Sequence, residues 1–89
     1  MANFTATIID KVGLHARPAS VLAKEASKYE SDIKIVSGDK SGNLKSIMNV
    51  MAMAIKHGAD VTIEATGADA DAAIEGLRNA MVESALIEA

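Results

Sequence analysis

Cysteine and tryptophan are absent from this chain, and phenylalanine, tyrosine and proline each occur once. Without cysteine there are no disulfides and no thiolate metal sites, so packing alone must stabilise the fold. With so few aromatic rings, the core has to be built from Ala, Ile, Leu, Val and Met. Basic charge is also short: nine Lys and Arg stand against twelve Asp and Glu, a formal charge of −3 with both His neutral. Sequence-independent nucleic-acid binding rests on Lys and Arg neutralising phosphates, so no direct nucleic-acid partner is expected. No apolar run reaches the length of a membrane span. The start, MANFTATIID, lacks the basic residues and apolar stretch of a signal peptide. A cytoplasmic protein without membrane insertion is the expectation.

What is present is an ordinary globular balance, 49% apolar and 24% charged over 89 residues. That length makes one domain, residues 1–89, with little material for a deep catalytic cavity. A surface site is the better expectation.

Thr5, Thr7 and Ile9 alternate with Phe4, Ala6 and Ile8, which reads as a strand over about residues 3–9. From about residue 16 to 29, Pro18, Val21, Leu22, Ala26 and Tyr29 recur at helical spacing, with Lys24, Glu25 and Lys28 turned outward. Ile33 and Ile35 alternate with polar neighbours in a second strand reaching about Ser37, and the turn Gly38-Asp39-Lys40 leads to a short third strand near 41–44. A helix over about 46–56 follows, then a strand over 61–66. The last helix spans about 69–86, with Ala73, Ile74, Leu77, Met81 and Ala85 on one stripe. The order is βαββαβα. Four short strands cannot cover themselves, so the expected fold class is α+β: a two-layer open-faced sandwich, a four-stranded antiparallel sheet under three helices on one face.

The segment Gly13-Leu14-His15-Ala16-Arg17-Pro18-Ala19 carries the chemistry. Helices usually begin on Ser, Thr, Asp or Asn, whose side chains satisfy free backbone N–H groups. No such residue lies between Lys11 and Ala19, and His15 occupies the cap position. Pro18 suits the first turn because its missing N–H is not needed there. This arrangement leaves N–H groups free near Ala16 and Arg17, a positive helix end and one guanidinium, a combination that suits a doubly charged anion. A neutral imidazole there is a nucleophile toward phosphorus. The same residues also fit a loop histidine ahead of a helix that frays until Ser20, and spacing alone does not choose between the two. His57 lies in the turn-like His57-Gly58-Ala59-Asp60 and reads as an exposed loop residue. Two isolated His and no acidic cluster at ligand spacing argue against a metal site, and no cofactor is expected.

Leu44 to Ile55 is apolar nearly all round. At helical spacing Ile47, Met48 and Met51 share one face, while Val50 and Met53 point the opposite way. Placing the latter pair in the core leaves the trio exposed, a Met-rich patch able to re-pack against several partners. A helix buried whole in an oligomer is the alternative. Ser46 is a good N-cap for this helix.

The stretch G-L-H-A-R-P-A and the later L-K-S-I-M-N-V-M resemble the HPr family of histidine-containing phosphocarriers, and the length and element order agree over the whole chain. The resemblance implies a phosphoryl group accepted on Nδ1 of His15 from enzyme I and passed to enzyme IIA domains of sugar permeases, with Arg17 contacting the phosphoryl group. It supports docking of partners on the face of Ile47, Met48 and Met51; a monomer is the expected state. K-S-I-M further implies regulatory phosphorylation at Ser46 by an ATP-dependent HPr kinase/phosphorylase, with a catabolite-control transcription factor as a further partner. Asn49 and Ala52 depart from the Gly and Ser often found nearby. Val12 stands where many members carry a small polar residue near the imidazole, so any hydrogen bond from such a residue to His15 is missing.

Two other classes compete with a phosphocarrier. A purely regulatory binding protein acting through phosphorylated Ser46 is disfavoured because relatives of that kind replace the histidine. A hydrolase is disfavoured because G-L-H-A-R-P-A contains no Ser, Cys or carboxylate to complete a catalytic constellation. The expected protein is a stoichiometric phosphotransfer intermediate rather than an enzyme.

Overall fold

The structure, a computed structural model, describes residues 2–88. The elements run β1 (Ala2–Thr7), α1 (Ala16–Ala26), β2 (Asp32–Ser37), β3 (Lys40–Asn43), α2 (Ile47–Ala52), β4 (Asp60–Thr66) and α3 (Ala70–Glu83). The four strands form one antiparallel sheet in the order β1-β4-β2-β3. Alternation decides its two faces. Phe4 lies opposite Ile63, Ala6 opposite Val61, and Ile33 and Ile35 opposite Ala65 and Ile63, which together form the buried face. The other face is polar: Thr5 and Thr62 share a hydrogen bond of 2.9 Å, and the Thr7 hydroxyl donates to Asp60 at 2.6 Å. All three helices lie on the apolar face, the two-layer sandwich expected.

The ends of the elements differ from the sequence reading, each for a local reason. The first strand stops at Thr7, because Ile8 donates to the Ala59 carbonyl at 2.9 Å and Ile9 to the Leu86 carbonyl at 2.7 Å. Helix α1 stops at Ala26 rather than near Tyr29, tightening into Lys28-to-Glu25 and Tyr29-to-Ala26 bonds. Helix α2 is six residues long and ends where Ala54 takes a positive φ of 51°. Helix α3 ends at Glu83: Ala85 turns left-handed at φ 59°, with Ala85 donating to Val82 and Leu86 to Met81. This is a Schellman ending, and it turns Leu86 into the core while leaving Ala85 outside.

Packing rotates the expected stripe of α1. Pro18, Ala19, Leu22, Ala23 and Ala26 are buried, and Val21 is exposed. Small alanines on the inner side let α2 and α3 approach α1 closely. At one point the approach tolerates no side chain at all. A Cβ on Gly76 of α3 would stand 2.0 Å from the Tyr29 hydroxyl, which instead donates to Glu25 at 3.0 Å.

A carboxylate closes the end of the sandwich opposite in sequence to the histidine loop. Asp69 precedes α3 but makes no side-chain cap bond to it. Its carboxylate reaches the turn before β2, accepting the backbone N–H groups of Glu30 and Ser31 at 2.9 Å each and the buried Ser31 hydroxyl. These donors, the Ser31 hydroxyl first and the Glu30 N–H next, hold the Asp69 carboxyl below the ordinary aspartate value. A lowered carboxyl stabilises the fold above its ordinary value, and that contribution is lost as the pH falls through the folded one. Asp69→Asn should therefore lower the melting temperature by several degrees at neutral pH, and the gap to the parent should close as the pH falls below the ordinary aspartate range. Paired thermal melts across that range check it.

Candidate functional site

His15 is the N-cap of α1, with extended backbone angles (φ −90°, ψ −173°), and its side chain makes no capping hydrogen bond. Its carbonyl accepts the Ala19 N–H at 3.0 Å, so the N–H groups of Ala16 and Arg17 lie before the first helical bond, and Pro18 has none. Ala16 and Arg17 are both exposed. An unfilled cap gives up about 1 kcal/mol. Burying one side chain such as Leu22, completely enclosed here, contributes about 2 kcal/mol. Packing therefore holds α1 in place, and its first turn is free to receive an anion.

The loop that presents His15 is clamped to the chain leaving α2. Leu14 donates to the Ile55 carbonyl at 3.0 Å, and Gly13 passes so close that a Cβ would lie 2.5 Å from that same oxygen and 2.8 Å from the Lys56 Cα. Gly13 also has φ +84°, a conformation that suits glycine. His57, next along that chain, is exposed, as expected of a loop residue.

The polar neighbour of the imidazole is a residue the sequence reading passed over. Asp10 Oδ2 lies 3.7 Å from His15 Nε2, while Oδ1 accepts the Val12 N–H at 2.9 Å and the Asp10 carbonyl accepts the Gly13 N–H at 3.0 Å. Val12 itself points its side chain into solvent, 71% exposed. A carboxylate from outside G-L-H-A-R-P-A thus stands beside the histidine where Val12 offers nothing. The available signal was Asp10-Lys11-Val12-Gly13, an Asp leading a glycine turn, in which the side chain folds back onto the backbone two residues on.

Helix α2 carries the expected division of faces. Val50 and Met53 are buried, whereas Met48 is 82% exposed and Ile47 and Met51 about half as much. Two more exposed apolar side chains, Val12 and Val21, lie on the histidine loop and on α1. Helix α2 packs against α1, and Leu14 is bonded to the segment that follows α2, so the apolar helix and the histidine loop are structural neighbours. Ser46 caps α2: its hydroxyl oxygen accepts both the backbone N–H and the side-chain amide of Asn49, each at 3.2 Å. Among the described residues no three His, Asp or Glu side chains converge as metal ligands, and no helix is long and apolar enough to cross a membrane.

A family profile described as the PTS HPr component phosphorylation site matches residues 2–83. The chain belongs to the HPr family. HPr proteins are phosphocarriers of the bacterial phosphoenolpyruvate:sugar phosphotransferase system, carriers rather than catalysts. The chain is 65% identical to the phosphocarrier protein HPr of Mycoplasma capricolum subsp. capricolum, over 99% of each sequence. It is 44% identical to HPr of Mycoplasma genitalium, over 98% of this chain and all of that one. A solved Mycoplasma histidine-containing phosphocarrier protein superposes with a TM-score of 0.98 at 64% identity, covering 99% of this chain and all of the other.

The clamp beneath the HPr site generates a stability prediction. Gly13→Ala would force either the Ile55–Lys56 backbone or the histidine loop to move, because backbone atoms stand in the way of the methyl group. A loss of about 2 kcal/mol or more is expected from a strained φ combined with a backbone clash. In a domain this small that lowers the melting temperature by roughly 10 °C, read directly by calorimetry.

Proposed function

We propose that His15 is the phosphoryl carrier, accepting the group on Nδ1 from enzyme I and delivering it to enzyme IIA domains of sugar permeases. The observation that carries this reading is the half-exposed imidazole at an uncapped helix start, with the Ala16 and Arg17 N–H groups ahead of the first helical bond. A helix terminus of this kind attracts phosphate, and the Arg17 guanidinium adds a bidentate donor. Each contribution of the helix end is modest, about 0.3–1 kcal/mol. A weak clamp suits a carrier that must also release its cargo. Membership of a family described by its phosphorylation site supports the same assignment.

The chemistry needs no metal and no cofactor. The Nδ1 lone pair forms the N–P bond as the donor's bond to phosphorus breaks, and the reverse displacement by the acceptor restores the imidazole. Ile47, Met48 and Met51 form the docking surface for partners in the cytoplasm, where the protein acts as a monomer without direct nucleic-acid contact. Incubation with enzyme I and labelled phosphoenolpyruvate should give an acid-labile, alkali-stable phosphohistidine. A His15→Ala protein that still takes up label would end this reading.

We further propose Ser46 as a regulatory phosphorylation site for an HPr kinase/phosphorylase, its phosphorylated form engaging a catabolite-control transcription factor. What supports it is position: the hydroxyl sits at the start of α2, directly before Ile47 and Met48. Phosphate there favours the helix end and places charge beside the docking face, so regulation acts through repulsion and desolvation rather than unfolding. Ser46→Asp should keep the fold at least as stable as the parent while slowing transfer from enzyme I. Ser46→Ala should lose about 1 kcal/mol with the cap and transfer normally. Melting temperatures and transfer rates on both variants decide the matter, and an unslowed Ser46→Asp leaves the serine as a cap only.

A further inference from the structure

We propose that Asp10 is a positioning residue that keeps the imidazole proton of His15 on Nε2 through the whole phosphotransfer cycle. The inference rests on His15 being the carrier, but its physical basis is the turn before the histidine. Two hydrogen bonds and one close approach fix the turn that carries the carboxylate: Oδ1 takes the Val12 N–H at 2.9 Å, the Asp10 backbone carbonyl takes the Gly13 N–H at 3.0 Å, and Gly13 is wedged against Ile55. The remaining oxygen, Oδ2, faces His15 Nε2 at 3.7 Å. Both side chains are partly enclosed, Asp10 23% and His15 38% exposed, so water screens the pair only in part.

An ionised carboxylate accepts hydrogen bonds and donates none. Next to a neutral imidazole it favours the tautomer with hydrogen on Nε2, which leaves the lone pair on Nδ1. The separation is longer than a hydrogen bond in the resting protein, and catalytic contacts of this kind commonly tighten only in the reacting complex. When Nδ1 attacks phosphorus, the donor's bond breaks with its electron pair and the ring becomes positively charged with its proton still on Nε2. That charge develops opposite Asp10. When the acceptor attacks in turn, the N–P pair returns to Nδ1 and the ring departs as the same neutral Nε2–H tautomer. No proton has to move in either direction. Were Nε2 to lose its proton in the phosphorylated state, the leaving group would be an imidazolate, and transfer would be far slower.

The test is Asp10→Asn. The side-chain carbonyl of Asn can still accept the Val12 N–H and keep the turn, but an amide N–H2 then faces Nε2 and favours the opposite tautomer. The same carboxylate-to-amide change imposes the wrong tautomer in a catalytic triad. Long-range 1H–15N correlation spectra on the full chain report the tautomer at about pH 8.5, roughly two units above the usual imidazole value. His57→Gln in every sample leaves His15 as the one ring observed. The parent should show hydrogen on Nε2, and in Asp10→Asn the Nδ1–H form should become the major one. Phosphorylation by enzyme I should slow by at least about tenfold, in the direction of the loss that a carboxylate-to-amide change beside a catalytic histidine brings. Asp10→Ser, which keeps an acceptor for Val12 without a charge, should show a mixture of both forms and serves if the amide variant melts early. A parent-like tautomer in a folded Asp10→Asn or Asp10→Ser protein overturns the proposal. A parent that takes no phosphate ends the carrier reading instead, and the tautomer comparison still judges Asp10.

Discussion

The approach of the Gly13-Leu14 backbone to Ile55 and Lys56 is the constraint on which the site depends. It joins the loop that presents the histidine to the segment that follows the short apolar helix, through one hydrogen bond of 3.0 Å and a contact with no room for a Cβ. That contact is made by backbone on both sides, so it does not depend on side-chain rotamers. Helix α1 then starts where the clamp leaves it, with an imidazole in place of a cap. The stability given up at that end is small beside what Leu22 and the buried alanines of α1 contribute from within.

Carboxylates and amides in this domain serve mostly backbone N–H groups rather than ion pairs. Asp69 ties the turn before β2 to the start of α3, Asp10 closes the turn before the histidine, and Asn49 and Ser46 close the start of α2. In a chain without disulfides, such side-chain-to-backbone bonds hold the loops that the core cannot reach. They also explain how the loop that presents the half-exposed His15 is held in place. The cost of an exposed turn is offset locally, within a few residues.

The exposed face of α2 is apolar beyond what a small domain needs. Met48 stands almost fully in solvent, Ile47 and Met51 beside it on α2 are also exposed, and so are Val12 on the histidine loop and Val21 on α1. Flexible thioethers re-pack against different faces at little penalty, the property that the proposed docking role would use. Ser46 stands directly before Ile47 and Met48, so under the proposed regulation one charge there would act on docking without touching His15.

The element order, the two faces of the sheet and the division of α2 into Val50 and Met53 against Ile47, Met48 and Met51 were all legible in the sequence, because each follows from a period of apolar residues along a single element. The missing cap and Pro18 marked His15 as one of two candidate helix starts, and the fold chose it over a start near Ser20. Tertiary contacts decided the rest. Helix α2 ends early because Ile55 must meet Leu14, Val21 turns outward because alanines take the close approach of the neighbouring helices, and α3 stops where Leu86 has to enter the core. Asp10 reaches His15 for the same kind of reason. Five residues of separation say nothing about direction, and only the folded turn, clamped at Gly13, aims one carboxylate oxygen at one ring nitrogen.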